Sequence, residues 1–533
     1  MKIFKLIMIL ALIISLNACS EFLNINDDPI AVNESQLELL LPGIQASTAL
    51  SANDEMSRHA SIFVQQIYSL GVSRYSIMAA SFDKPWREMY AGGLQDLEDF
   101  ITTAEIDSLP VYAGIGKVMK AYNYSMMVDL WNDIPYDNAL QGIDNLNPEP
   151  TSGSDIYNSL QSLLDEAIED LSTTNTTAPA SDLIYDGNAD QWIAAANTLK
   201  LKLYLQIRLI DESAARDGIS ALLNEDAPLI IDYEDDYQFT YGTNQEPENR
   251  HFLYVSDYNN SKINYMSNYF MDLLLYEPGN ENTIDIVDPR LRYYVYRQTL
   301  DDPEGNDVPC ANVNDCPIGY VGDGYIGRDH GDPSGLPADD AIRSVFGLYP
   351  VGGQFDDGRG ETISVSDGSG GDGIMPYLTS SMTYFLLAEA ALELGTAGEV
   401  DSLFEKGMEQ SFAKIRNFGL DRQGNVIEAW ESEAEYDYSE AEEEYIEEKL
   451  TQFSLGNDTD KLRLIMEQAY IAYFGNGIEA YNNYRRTGFP VLPASIAPLG
   501  PFPLRYPYPP FEINSNANIN QVLLDVPVFW DVN

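Results

Sequence analysis

Chemistry in this chain has to come mainly from carboxylates. Of 533 residues, 84 are aspartate or glutamate against 30 lysines and arginines, while only three are histidine (His59, His251 and His330) and three are cysteine. So few imidazoles and thiols leave too small a set of soft ligands for a zinc or iron–sulfur centre, so no metal site is assigned and zinc or redox enzymology is disfavoured. No nucleophile elbow, phosphate loop, HExxH pair or EF-hand spacing occurs, and no catalytic residue is assigned. A glycosidase needs an acid/base pair about 5–9 Å apart, and nothing in the spacing singles one out. The run Asp301-Asp302-Pro303-Glu304-Gly305-Asn306-Asp307 offers the oxygen ligands that calcium takes, although an acidic run of this kind is more often a solvated loop.

Cys19 belongs to a different chemistry. Lys2 and Lys5 precede the apolar run from Leu6 to Leu16, and the small Ala18 stands just before the cysteine. This is the pattern of an export signal. A membrane-spanning helix needs about 20 apolar residues, and Asn17, Ser20 and Glu21 end this run well short of that. Leu16-Asn17-Ala18-Cys19 resembles the lipobox of bacterial lipoproteins, which implies a signal peptide over 1–18, cleavage before Cys19 and acylation of its thiol. Each buried methylene adds about 0.8 kcal/mol, so two or more chains make a stable membrane anchor. Residues 19–36 read as a polar, Asn/Asp-rich tether. In an exported chain Cys310 and Cys316, which enclose five residues, are expected to form a disulfide. So small a loop adds little global stability, and its job would be to stiffen a loop tip.

Composition bounds the rest. Hydrophobic residues at 44% and 35 tyrosines suggest one composite domain over 37–533. A formal charge of −54 argues against nucleic acid, because nothing here could displace counterions from a phosphate backbone. It also disfavours an anionic lipid surface and anionic ligands, within the damping that salt provides.

The elements that must position a site are helices. Apolar residues recurring at three and four positions predict helices over Ser35–Ala52, Glu55–Ser69, Lys84–Ile106 and Val111–Trp131, with Pro110 at a helix start. The same reading gives Ser154–Leu171, Gln191–Ile210 and Ser213–Leu223. Later, Ser381–Gly395 followed by Glu399–Phe418 has the length of a tetratricopeptide unit. An acidic helix over Glu440–Gln452 and a last one over Lys461–Tyr484 complete the set. The expected class is mainly α, with helical repeats over about 37–224 and 378–486 as scaffold and an irregular tail over 487–533. Between the repeats, 225–377 is crowded with glycine, aspartate, proline and tyrosine, and long loops of this kind are usually functional. Tyr325-Ile326 and Phe346-Gly347-Leu348-Tyr349 are expected there as short strands.

Four segments carry a resemblance. They are Phe22-Leu23-Asn24-Ile25-Asn26-Asp27-Asp28-Pro29; Trp131-Asn132-Asp133-Ile134-Pro135-Tyr136 with Asn138-Ala139-Leu140; Asp288-Pro289-Arg290-Leu291; and Tyr484-Arg485-Arg486-Thr487-Gly488-Phe489-Pro490 followed by Arg505-Tyr506-Pro507-Tyr508-Pro509-Pro510-Phe511-Glu512. In this order they resemble the SusD/RagB family of outer-membrane glycan-binding lipoproteins, on a SusD-like branch rather than the starch-binding founder. Physics alone gives Trp131 and Pro135 a plainer job, a helix stop with an aromatic plug. The resemblance implies a lipid-anchored surface protein, not an enzyme, that binds an oligosaccharide or polysaccharide. It also implies a partner, a TonB-dependent transporter of the SusC type, into which the ligand is handed for nutrient uptake. Two rivals stand beside this reading: an architectural lipoprotein that braces the transporter without touching glycan, and an α-helical glycoside hydrolase or polysaccharide lyase.

A sugar ring offers an apolar C–H face and a rim of hydroxyls, so its site needs exposed aromatic faces and planar donors on loops held by a rigid frame. Tyr320, Tyr325, Arg328, Tyr349 and Phe355, set among glycines, are the expected contacts. Trp86, behind Pro85, is the outside candidate.

Overall fold

The computed structural model describes residues 34–258, 264–276, 286–338 and 342–533. The stretch expected to be a signal peptide, Cys19 and nearly all of the expected tether lie outside them. Nine scaffold helices carry the architecture: α1 Pro110–Trp131, α2 Gly153–Leu171, α3 Ala189–Gln206, α4 Glu212–Asn224, α5 Ser380–Leu394, α6 Val400–Ala434, α7 Tyr438–Leu455, α8 Asp458–Ala472 and α9 Gly477–Thr487. They pack pairwise, α1 on α2, α3 on α4, α5 on α6 and α8 on α9. Close crossings rest on small residues: a Cβ on Gly407 of α6 would stand 2.5 Å from the Phe385 ring of α5.

Helix α5 also packs against α3, α4 and α8, so the early and late pairs form one stack although about 155 residues separate α4 from α5 in the chain. The intervening loop-rich region leaves and re-enters this stack at one ribbon. Its first strand, β1 (Tyr237–Thr240), pairs antiparallel with its last, β2 (Ile374–Leu378). The result is a tetratricopeptide-like helical scaffold with a face of loops and short strands on it.

The scaffold is locked by buried charges. Asp129 of α1 accepts from Lys202 Nζ at 3.1 Å, Asn482 Nδ2 at 2.9 Å and Trp530 Nε1 at 3.0 Å, joining α1, α3, α9 and the tail. Burial opposes ionisation of Glu389 on α5, yet Arg486 and Arg208 hold its carboxyl below the usual carboxylate range. The Trp131 turn and the Arg505-Tyr506-Pro507-Tyr508 segment are clasped together. Trp131 Nε1 donates to Pro507 O at 2.9 Å, and Tyr508 Oη donates to the Asp133 carbonyl. Trp131 is fully buried, the plug that its position before Pro135 suggests.

Several helix ends differ from the periodic pattern, each for a local reason. The first two predicted helices run through a π-helical turn at Ala52–Ser57, and the second stops at Phe63, just before Gln65 takes a φ of 62°. A second π turn, Met89–Leu94, interrupts the stretch expected as one helix over Lys84–Ile106. The helix expected over Lys461–Tyr484 is two, because Gly475 has a φ of 106° and the Asn476 side chain caps α9. Most consequential is α6, which runs past Phe418 to Ala434. It bends at Gln423, whose buried amide donates to Gly353 O and accepts from Phe355 N instead of serving the helix. Tyr325-Ile326 is not a strand, and of Phe346-Gly347-Leu348-Tyr349 only Phe346 lies in one, Val345–Phe346, paired with Val295–Tyr296.

Candidate functional site

Five of the six residues expected to meet a ligand are turned inward, and for them the expectation is corrected. Tyr325 donates to Asp356 at 3.3 Å beneath the Arg297 guanidinium, 4.7 Å over its ring. Tyr349 is wedged against Tyr294 and Phe418, and Phe355 against Tyr293 and Trp430. Arg328 lies 3.7 Å over the Tyr265 ring and donates to the carbonyls of Gly335 and Pro337. Trp86 sits edge-on to Trp131 and donates to Glu512 at 3.0 Å. All five side chains are buried. For Tyr325, Tyr349 and Phe355 the physical reason is common: glycine-rich turns let the loop backbone follow the scaffold closely, and the large rings become the material that fills the gap; Trp86 is turned inward from the helix Asp83–Glu88. Tyr320 alone remains partly exposed. Its hydroxyl donates to Asp302 at 2.7 Å and accepts from Gly324 N, and burial together with Asp302 pushes it up to about 12, so it stays neutral.

Cys310 and Cys316 are joined in the structure, their Cα atoms 6.2 Å apart. The loop they close is seated on the buried Asp329, which accepts from the N–H groups of Ile318 and Gly319 and from Asn268 Nδ2. Burial raises the Asp329 carboxyl. Among the described residues, these two cysteines and Asp329 are the one group of three or more such side chains whose ligand atoms lie within 4.8 Å of one another; the acidic run Asp301–Asp307 is not so gathered. His251 and His330 are buried, and desolvation pushes both down to about 3, which leaves neither as a proton carrier near neutrality.

The site that the structure does assemble lies where α6 and α7 meet the segment before Arg292. Ile286 to Pro289, Arg292, Trp430, Tyr436, Ala441 and Glu444 line a cleft of about 370 Å³, within the range of small-ligand sites. Four of the chain's five tryptophans are fully buried; Trp430 is the exception. Beyond the bend at Gln423, α6 carries Glu428, Glu431 and Glu433 and no continuous apolar stripe, and among the described residues the indole is left partly exposed. The Arg292 guanidinium stacks 4.3 Å from the Trp430 ring centre, and Tyr436 meets the indole at 4.8 Å, tilted 45°. Arg292 is itself oriented by donating to Asp356 O at 2.9 Å.

One wall of the cleft is pinned from beneath. Arg290 grips Asp288 through Nε and Nη2 at 2.9 and 2.6 Å, and reaches Ser411 of α6 at 3.0 Å and Gln468 of α8 at 2.8 Å. Both side chains are fully buried, and the guanidinium lies 4.5 Å over Phe412. This gives Asp288-Pro289-Arg290-Leu291 a physical role: it fastens the wall to the scaffold. On α7, burial and the facing Glu409 raise the half-buried Glu442 to about 7.

An indole, a phenol ring and a guanidinium around one cleft, with a carboxylate on the rim, suit a ring that is apolar on its face and hydroxylated at its edge. Sequence reasoning missed Trp430, Tyr436 and Arg292. The readable signal was a tryptophan in the acidic stretch from Asp421 to Tyr438, where no apolar stripe exists to bury it.

The chain belongs to the SusD-like family whose model, described as "Starch-binding associating with outer membrane", matches residues 29–509. Solved structures share the fold. One of a chitin-binding protein is 22% identical, with a TM-score of 0.68 over 93% of this chain and 100% of that one. A SusD/RagB family protein from Bacteroides thetaiotaomicron VPI-5482 is 18% identical, with a TM-score of 0.70 over 93% and 99%. A chitin-binding SusD homologue from Flavobacterium johnsoniae is 17% identical, with a TM-score of 0.64 over 94% and 97%. At these identities the likeness is one of fold. No curated protein matches the sequence. The family is defined by binding and by association with the outer membrane, and among the described residues no helix is long and apolar enough to cross a membrane.

Proposed function

We propose that this protein is a surface lipoprotein, anchored through acylated Cys19, that binds an oligosaccharide or polysaccharide in the Trp430 cleft and delivers it to a TonB-dependent outer-membrane transporter. The observation that carries the binding site is Trp430 itself, the one tryptophan left partly exposed, flanked by Tyr436 and Arg292 over a volume of about 370 Å³. Membership of a starch-binding family and the fold shared with chitin-binding proteins make glucose- and N-acetylglucosamine-based oligosaccharides the first probes. Calorimetric titration of maltohexaose and chitohexaose into the purified protein, repeated with Trp430→Ala, tests the site. The variant should lose more than about 1 kcal/mol, roughly fivefold in Kd, with its melting temperature unchanged. Binding of neither probe to the parent, or equal binding by parent and variant, refutes the assignment.

A second reading has one observation in its favour. The burial of Tyr325, Arg328, Tyr349 and Phe355 removes most of the contacts that the loops were expected to offer, and the outside candidate Trp86 is buried too, which suits an architectural subunit that braces the transporter without holding glycan. Recovery of the protein with a transporter barrel from solubilised outer membranes, combined with no response to any oligosaccharide, is the outcome that favours it.

A further inference from the structure

Helix α6 has a second polar face, away from the Trp430 cleft. Lys414, Asn417, Phe418, Asp421 and Arg422 recur at intervals of three and four and fall on one stripe. A stripe with that spacing, turned toward a sheet, is ordinarily apolar. Here only Phe418 is. Opposite stands β1, whose alternation buries Tyr237 and Phe239 and leaves Gln238 half-buried and Thr240 exposed. Two polar surfaces therefore face each other without closing, and between them, with Tyr233 at the side, is a groove of about 420 Å³.

The charges in this groove are already matched. Lys414 Nζ is bound by Asp236 and donates to Gln238 Oε1 at 2.7 Å. Arg422 Nε lies 3.3 Å from Asp372 Oδ1 and donates to the Asp372 carbonyl at 3.1 Å, with its guanidinium 3.7 Å over the Phe418 ring. An anionic ligand would have to displace a carboxylate from each cation, and Glu234 and Asp421 at the rim would repel it. What the walls present is amide, hydroxyl and carboxylate: Gln238, Asn417, Thr240, Tyr233 and Asp421. These are hydrogen-bond donors and acceptors of the kind that hydroxyl groups take, beside a half-buried phenol ring.

We infer that the groove between α6 and β1 is a second saccharide site, for a neutral polyhydroxylated ring, distinct from the Trp430 cleft. It rests on the reading of the protein as a glycan binder, but not on the Trp430 cleft being the place.

Hydrogen exchange of the detergent-solubilised mature protein, with and without saturating maltohexaose or chitohexaose, tests it. Exchange over 231–240 and 414–422 should slow at least threefold with one probe, and that protection should persist in Trp430→Ala. The double variant Asn417→Ala/Asp421→Ala should abolish it, while leaving the melting temperature and any protection over 286–292 and 430–444 intact. Protection confined to 286–292 and 430–444 overturns the second site and leaves the cleft standing. Loss of the 414–422 protection in Trp430→Ala shows one site rather than two and overturns it as well. Protection of 414–422 alone supports the groove and removes the cleft, and response of neither segment to either probe removes both. A uronic oligosaccharide that protects 414–422 at lower concentration than the neutral probes overturns the charge argument.

Discussion

Arg290 should be the most costly side chain to lose near the cleft. It and Asp288 have no exposed side-chain surface, and the pair is joined by Nε and Nη2 contacts of 2.9 and 2.6 Å. Arg290→Met leaves the Asp288 carboxylate in an interior that offers it the backbone N–H of residue 290 at 2.9 Å, and it strips Ser411 and Gln468 of their partner. Removing one member of a buried pair costs about 3–5 kcal/mol, chiefly for the charge left behind. That is a large share of a total stability on the order of 5–15 kcal/mol. The double variant Asp288→Leu/Arg290→Met removes both charges and should recover at least half of the loss, since apolar replacement of a whole buried pair is often close to neutral. Urea unfolding at constant slope gives the comparison. A loss below about 1 kcal/mol in the single variant, or a double variant as unstable as the sum of two singles, would refute the argument that an uncompensated charge is what matters. Oligosaccharide affinity, measured well below both melting temperatures, reports on the wall itself, and the double variant should bind better than the single one.

Glu442 supplies a pH signature. Its folded pKa of about 7 exceeds the ordinary 4.5, so its contribution to stability is fully present below the unfolded value and is lost as pH rises through the folded one. Glu442→Gln should accordingly stabilise by about 1 kcal/mol near pH 8, after discounting for partial exposure, and by little near pH 4; an equal gain at both shows that the proton is not the cause. Cys19→Ala should move the protein from the washed membrane fraction to the soluble one in cells lacking its transporter, and retention in membranes refutes acylation as the anchor. Cys310 and Cys316 should resist alkylation of the folded protein until a reductant is added, whereas labelling of both in untreated protein means the thiols are not paired.

The helical scaffold was legible because it repeats. A period of 3.6 survives in any single stretch, so α1, α2, α5 and the pairing of α5 with α6 could be read with no knowledge of what they touch. Charged or polar groups set at short spacing were equally readable as motifs: Asp288-Pro289-Arg290-Leu291 marks a position in the chain whatever its partners are. What Arg290 does was not readable, because Ser411 and Gln468 lie 121 and 178 residues away. The direction of a loop side chain is decided in the same way. Tyr349 and Tyr325 stand among glycines in the sequence, but Phe418 and Arg297 occupy the space on one side of each ring and draw it inward. The length of α6 was hidden for a related reason. Its last turns lack an apolar stripe and are held by Gln423 reaching to Gly353 and Phe355, a contact no periodicity encodes, and it is this continuation that carries Trp430 to the cleft. Local pattern determined which elements form; long-range packing alone decided which aromatic rings are filling and which are left facing solvent.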